Sequence, residues 1–148
     1  MATAVNRSAD EAAVHAVLDA IARAVRGGKV DAMLAHCSSD LVTFDLVAPL
    51  KHDGAEAVRE VWAKALAGLE PPLDYDFQQL HIEVDGDLAF ARCLNRFGGM
   101  RADGAQVVNW LRSTFVLRRM EGRWKVVHEH VSVPFDMQTG KALLELHP

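Results

Sequence analysis

At 148 residues, with 50% hydrophobic and 24% charged residues, the chain has the size of one domain and ample material for a core, so a single unit over 1–148 is expected. A formal charge of −4, with both signs interspersed, leaves no basic stripe to neutralise phosphates and argues against a nucleic-acid partner. Cys37 and Cys93 lack any Cys-x-x-Cys spacing and read as reduced thiols, while the absence of a long apolar run or a basic-then-apolar start gives the expectation of a soluble, cytoplasmic protein with no membrane contact.

Ser8-Ala-Asp-Glu11 has the spacing of a capping box, in which Ser and Glu satisfy the first free N–H groups of a helix. Val14, Val17, Leu18, Ile21 and Val25 then recur at helical spacing, and Gly27-Gly28 offers a left-handed stop. A second, short helix is predicted over about Val30–His36, with Met33 and Leu34 on one side. Leu41–Asp45, rich in β-branched and aromatic residues, reads as a strand, and Pro49–Gly54 as a turn. Glu56–Leu69 is a third amphipathic helix, with Val58, Val61, Trp62, Leu66 and Leu69 on its apolar side, ended by Pro71-Pro72.

Beyond the prolines the pattern is that of antiparallel sheet. Strands are predicted at Asp74–Val84, Leu88–Phe97, Gln106–Met120 and Arg123–Phe135. They are joined by a turn at Asp85-Gly86-Asp87, a loop at Gly98–Gly104 and a turn at Glu121-Gly122, and the tail to Pro148 is read as irregular. Helices first and long strands afterwards make an α+β domain. The last strand carries three ionisable side chains in a row. Strict period two puts Trp124, Val126, His128, His130 and Ser132 on one face, and Val127, Glu129, Val131 and Val133 on the other.

Three segments carry a resemblance: Arg26-Gly-Gly-Lys-Val-Asp31 with the strand ending Phe44-Asp45, the return Leu50-Lys-His-Asp-Gly-Ala-Glu-Ala-Val-Arg-Glu-Val-Trp62, and Glu121-Gly-Arg-Trp-Lys-Val-Val-His-Glu-His-Val-Ser132. With this order of elements, the chain resembles the nuclear transport factor 2-like superfamily, in its SnoaL-like and ketosteroid isomerase-like branch. The resemblance implies a cone-shaped α+β fold, three N-terminal helices packed on a strongly curved, mostly antiparallel sheet. It also implies a homodimer through the outer sheet face. The superfamily hosts isomerases, dehydratases, cyclases and non-catalytic binding domains, so fold alone does not choose a reaction.

Asp45 matches the general base of the ketosteroid isomerases. A carboxylate in an apolar cavity has a raised pKa, which suits it to take a proton from carbon next to a carbonyl. As a plain Asp at a strand end, it would instead hydrogen-bond the following turn. The isomerases' oxyanion hole uses a Tyr on the first helix and a protonated Asp on a later strand. This chain offers Ala20 and Ile21, and Arg112-Ser113-Thr114, near those places. Glu129 or His130 is read as assisting Asp45, depending on which face of the last strand looks inward; the resemblance favours the odd-numbered face, with Val131. His128 and His130 would otherwise lie on the outer face.

Trp62, Asn95 and Phe115 match positions that point into the cone in relatives, and Tyr75, Trp110, Arg112, His128 and Val131 complete the residues read as contacting an apolar small-molecule ligand. Asn95, Arg112 or Trp110 would stabilise an enolate oxygen. Arg96 and Arg112 could face an anionic group of a ligand. His-x-His with His81, Glu83 or Asp45 has metal-compatible spacing but no compact ligand set, so neither metal nor organic cofactor is expected. Gly-x-Gly-x-x-Gly, Walker-type and Gly-x-Ser-x-Gly motifs are absent from the sequence. His36 and Cys37, being adjacent, point apart and do not read as a dyad. Two classes remain open: an enzyme that abstracts a proton next to a carbonyl, with Asp45 as base, and a non-catalytic ligand-binding or dimerisation domain.

Overall fold

The computed structural model describes residues 2–148, with side chains from Arg7 onward. The elements run α1 (Ala2–Arg26), α2 (Val30–Leu34), β1 (Cys37–Phe44), β2 (His52–Asp53), α3 (Ala55–Leu66), β3 (Leu69–Asp85), β4 (Leu88–Arg101), β5 (Gln106–Met120) and β6 (Arg123–Ser132). The six strands form one open sheet in the order β2-β1-β6-β5-β4-β3. Every pairing is antiparallel except β1 with β6. The α+β class and the helices-on-sheet architecture agree with the sequence.

Helix α1 starts before Ser8, so the Ser8–Glu11 box lies inside the helix and caps nothing. No Gly or Pro interrupts the residues ahead of it, and what forms instead is an i,i+4 pair, Arg7 Nε donating to Glu11 at 3.3 Å. Val14, Leu18, Ile21 and Val25 bury the inner stripe of α1. The helix ends as read. Gly28 sits at φ 67°, and the Lys29 N–H reaches the Ala24 carbonyl while the Gly28 N–H reaches that of Val25, both at 2.9 Å. These are the two bonds of a Schellman cap, which glycine permits because it has no Cβ to clash. Arg26 then donates to the Tyr75 carbonyl at 2.7 Å and to Asp76 at 3.2 Å, pinning the end of α1 to β3.

Two boundaries differ from the sequence reading. Helix α3 stops at Leu66, and Leu69 already pairs with Arg101. Pro71 and Pro72 therefore lie within β3, in the unpaired interval between Glu70 and Asp74 of an edge strand, where a missing N–H breaks no ladder bond. The expected loop at Gly98–Gly104 is mostly strand, since β4 runs to Arg101. Gly98 is there for space: a Cβ on it would stand 1.8 Å from the Val107 carbonyl oxygen of β5. The turn expected at Pro49–Gly54 contains the short β2, and β6 ends at Ser132, short of Phe135. In the tail, Phe135 bridges to Ala142 across a turn in which Asp136 Oδ1 accepts from the Gln138 and Thr139 N–H groups.

Candidate active site

A cavity of about 680 Å³ opens between α3, the segment from Asp45 to Asp53, and the inner face of the sheet. That volume lies within the range of small-molecule sites. Helix α3 contributes Ala57, Val61, Trp62 and Ala65 to its wall, and the sheet contributes Tyr75, Asn95, Phe97, Leu111, Glu129 and Val131. The aromatic wall is held edge to face. Ring centroids lie 6.0 Å apart for Trp62 and Tyr75, 5.7 Å for Trp62 and Phe97, and 6.0 Å for Tyr75 and Phe97. Such T-shaped packing suits the rings' quadrupoles and leaves little freedom to collapse into the space.

Glu129 reaches this cavity because β6 does not keep period two. Leu117 pairs with Val126, yet Val116 pairs with His128, so Val127 is an extra residue opposite β5. A bulge of this kind flips the parity of the strand beyond it. Trp124 and Val126 are buried in the core before the bulge, and Glu129 and Val131 face the cavity after it. Both faces of the sequence reading thus supply inward residues, one on each side of Val127.

Glu129 sits opposite the fully buried Phe115. What surface it keeps faces the cavity, and the surrounding protein desolvates its carboxyl. Burial first, and the negative charge of Asp45 second, push its pKa up to about 8. Asp45 follows the last residue of β1 and lines the same cavity, with Oδ1 accepting the Leu46 N–H at 2.6 Å. It therefore makes the turn contact an Asp favours while also facing the site. Tyr75 is buried, and desolvation, then the charge of Glu129, hold its hydroxyl proton well beyond the ordinary range, partly offset by a hydrogen bond from Asn95. Asn95 is 2% exposed, and its Oδ1 has no protein partner.

The other residues proposed from sequence fall elsewhere. Leu111, Ser113, Phe115 and Leu117 are the buried side of β5, so the alternating Trp110 and Arg112 lie on the outer face and do not line the cavity; Arg112 donates to Ser132 at 3.1 Å. Arg96 is turned to Asp74, at 2.6 Å. His130 is exposed, its ring 5.5 Å from that of Phe44, and His128 donates from Nδ1 to the Val42 carbonyl at 2.8 Å. Phe115 packs on Phe77 behind the cavity. The Cys37 thiol is pushed up to about 12 by burial and by the charge of Glu129, so it is no nucleophile. His81 pairs with Glu83 at 2.9 Å, and among the described residues no three His, Cys, Asp or Glu side chains converge as a metal site. The sequence reading missed the contribution of Leu46–Pro49, of Lys51 and of His52, which is buried and donates to the Val47 carbonyl at 3.2 Å, folding that segment over the cavity. A two-residue strand inside a Pro/Gly turn leaves no period to read.

The sequence profile of the SnoaL-like domain matches residues 14–136. The chain belongs to the SnoaL-like family. It is 34% identical to an NTF2-like protein of unknown function from Pseudomonas putida KT2440, over 95% of this chain and 98% of that one, with a TM-score of 0.86. Two more distant structures share the fold. A ketosteroid isomerase-like protein from Erwinia carotovora atroseptica SCRI1043 is 20% identical over 83% of this SnoaL-like chain and 95% of its own, with a TM-score of 0.70. The association domain of C. elegans CaMKII is 16% identical over 86% and 98%, with a TM-score of 0.71. No curated protein matches the chain. No helix among the described residues is long and apolar enough to cross a membrane.

Proposed function

We propose that this SnoaL-like protein is a small-molecule enzyme of ketosteroid-isomerase type, which moves a proton on carbon next to a carbonyl. The observation that carries the proposal is Glu129, a carboxyl of pKa about 8 in a largely apolar cavity it shares with Asp45. Beside the negative charge of Asp45, a carboxyl that holds its proton can serve as the acid and Asp45 as the base. At pH 7 Glu129 therefore holds its proton in most molecules. Neutral Glu129 then donates a hydrogen bond to the substrate carbonyl oxygen, with the Tyr75 hydroxyl as a second donor. Asp45 takes the proton from the adjacent carbon. The negative charge that moves onto oxygen meets donors already in place, which is where such sites gain most of their rate. Returning the proton to another carbon completes an isomerisation; expelling a β-hydroxyl makes a dehydration; attack on a second carbonyl makes a cyclisation. None of these steps requires an organic cofactor or a metal.

Of the two partners for Asp45 that the sequence offers, the proposal takes Glu129 on β6, while His130, Trp110 and Arg112 take no part. Likeness to the ketosteroid isomerase-like protein supports the reading at the level of fold. The test uses cyclic ketones in deuterium oxide, followed by NMR for exchange of the proton next to the carbonyl. Wild-type protein is expected to accelerate exchange, and Asp45→Asn to lower it by about 10²–10⁴-fold. No acceleration over buffer across a panel of ring sizes would contradict the proposal. It would favour the second reading, a ligand-binding or dimerisation domain, which the fold shared with the CaMKII association domain supports.

A further inference from the structure

A second, much smaller cavity of about 10 Å³ lies between the helices and the sheet. The helices contribute Ile21, Met33 and Val58 to it, one from each, and the sheet contributes Cys37, Tyr75 and Glu129. Trp62, Tyr75 and Glu129 line the large cavity as well, so these three side chains stand between the two spaces. A single water needs roughly this much room, together with two to four polar partners to hold it. A space this small lined only by apolar groups would stay dry. Here polar groups reach it. Among the described residues nothing hydrogen-bonds the Glu129 carboxyl; burial and the charge of Asp45 are what act on its proton. A protonated carboxyl keeps acceptor capacity beyond its one O–H, and leaving that capacity buried without a donor is costly. The Cys37 thiol gives its proton to the Met33 carbonyl, 3.8 Å from Sγ, which leaves the sulfur as a weak acceptor.

We infer that the small cavity binds one water, which donates one hydrogen to the Glu129 carboxyl and the other to the Cys37 sulfur or the Tyr75 hydroxyl oxygen. The consequence is orientation. The carboxyl oxygen that accepts from the water is the one without the proton, so the O–H sits on the other oxygen and is directed into the large cavity. That role for the water rests on the function proposed above. Its presence does not, because a buried carboxyl needs a donor whether or not the protein carries out a reaction.

The test is a crystal structure of the whole chain at a resolution that shows ordered waters, joined to NMR titration of Glu129 in Val58→Ile. In the wild type, one water is expected in the small cavity within hydrogen-bond distance of a Glu129 carboxyl oxygen. Val58→Ile adds a methylene where the water needs room, and Cys37→Val serves where that variant does not fold. Displacing the water removes a donor to the ionised carboxylate, so the Glu129 midpoint should rise above that of the wild type. Neither measurement reads proton exchange on a ketone, so failure of the proposed reaction and failure of this inference are told apart. A dry cavity in the wild type, a water there out of reach of the Glu129 carboxyl, or a midpoint that does not rise when the water is displaced would each overturn the inference.

Discussion

Glu129 links the site to the stability of the whole fold. Its carboxyl titrates near 8 in the folded chain and near the ordinary 4.5 when unfolded. Between those values the folded state holds a proton that the unfolded state has released, so unfolding is favoured as pH rises. This contribution is fully present below about pH 4.5 and is lost progressively up to about pH 8, at a slope approaching 1.4 kcal/mol per pH unit. Glu129→Gln keeps the shape and removes the titration. Urea unfolding at pH 5, 6, 7 and 8 should therefore show the wild type losing stability relative to this variant, with the gap widening in favour of Gln. Parallel curves would mean that Glu129 is ionised in the folded chain. Asp45 was legible from sequence as a strand-end acid matching a known base, whereas the neutral state of Glu129 was not, because it depends on burial between elements distant in sequence.

At the scale of elements, the devices that shape the cavity break local periodicity. The extra residue at Val127 turns Glu129 inward, a second register shift between Gln78 and His81 coincides with Gln79 at φ 53°, and Gly98 lets β5 approach β4. Strict alternation holds along β4 and β5, where Asn95 and Phe115, which the resemblance points inward, are buried, but not along β6. Trp110 and Arg112 suit an enolate oxygen by their chemistry, but alternation with the buried Leu111 and Phe115 puts them on the other face of β5. Gly98→Ala tests one of these devices. Its Cβ would meet backbone, which cannot swing aside as a side chain can, so the strands must separate locally. A loss of about 1–3 kcal/mol or more in urea unfolding is expected. A change within a few tenths of a kcal/mol would show that β4 and β5 do not approach so closely there.

For the molecule as a whole, the fold was written plainly in the chain: amphipathic helices, then long alternating strands joined by Gly turns. The cavity was written less plainly, because its mouth is formed by a Pro/Gly segment and its floor by residues from β3, β4, β5 and β6 that meet only in the folded sheet. Under the proposed function, what makes this architecture a reaction site and not a container is a single neutral carboxylic acid beside Asp45. Titration of the Glu129 side-chain carboxyl by NMR measures that directly, without a substrate. The proposed function requires a midpoint near 8, lowered in Asp45→Asn as the neighbouring charge is removed. A midpoint near 4, unmoved by that substitution, would contradict it and leave an apolar cavity with no tuned acid in it.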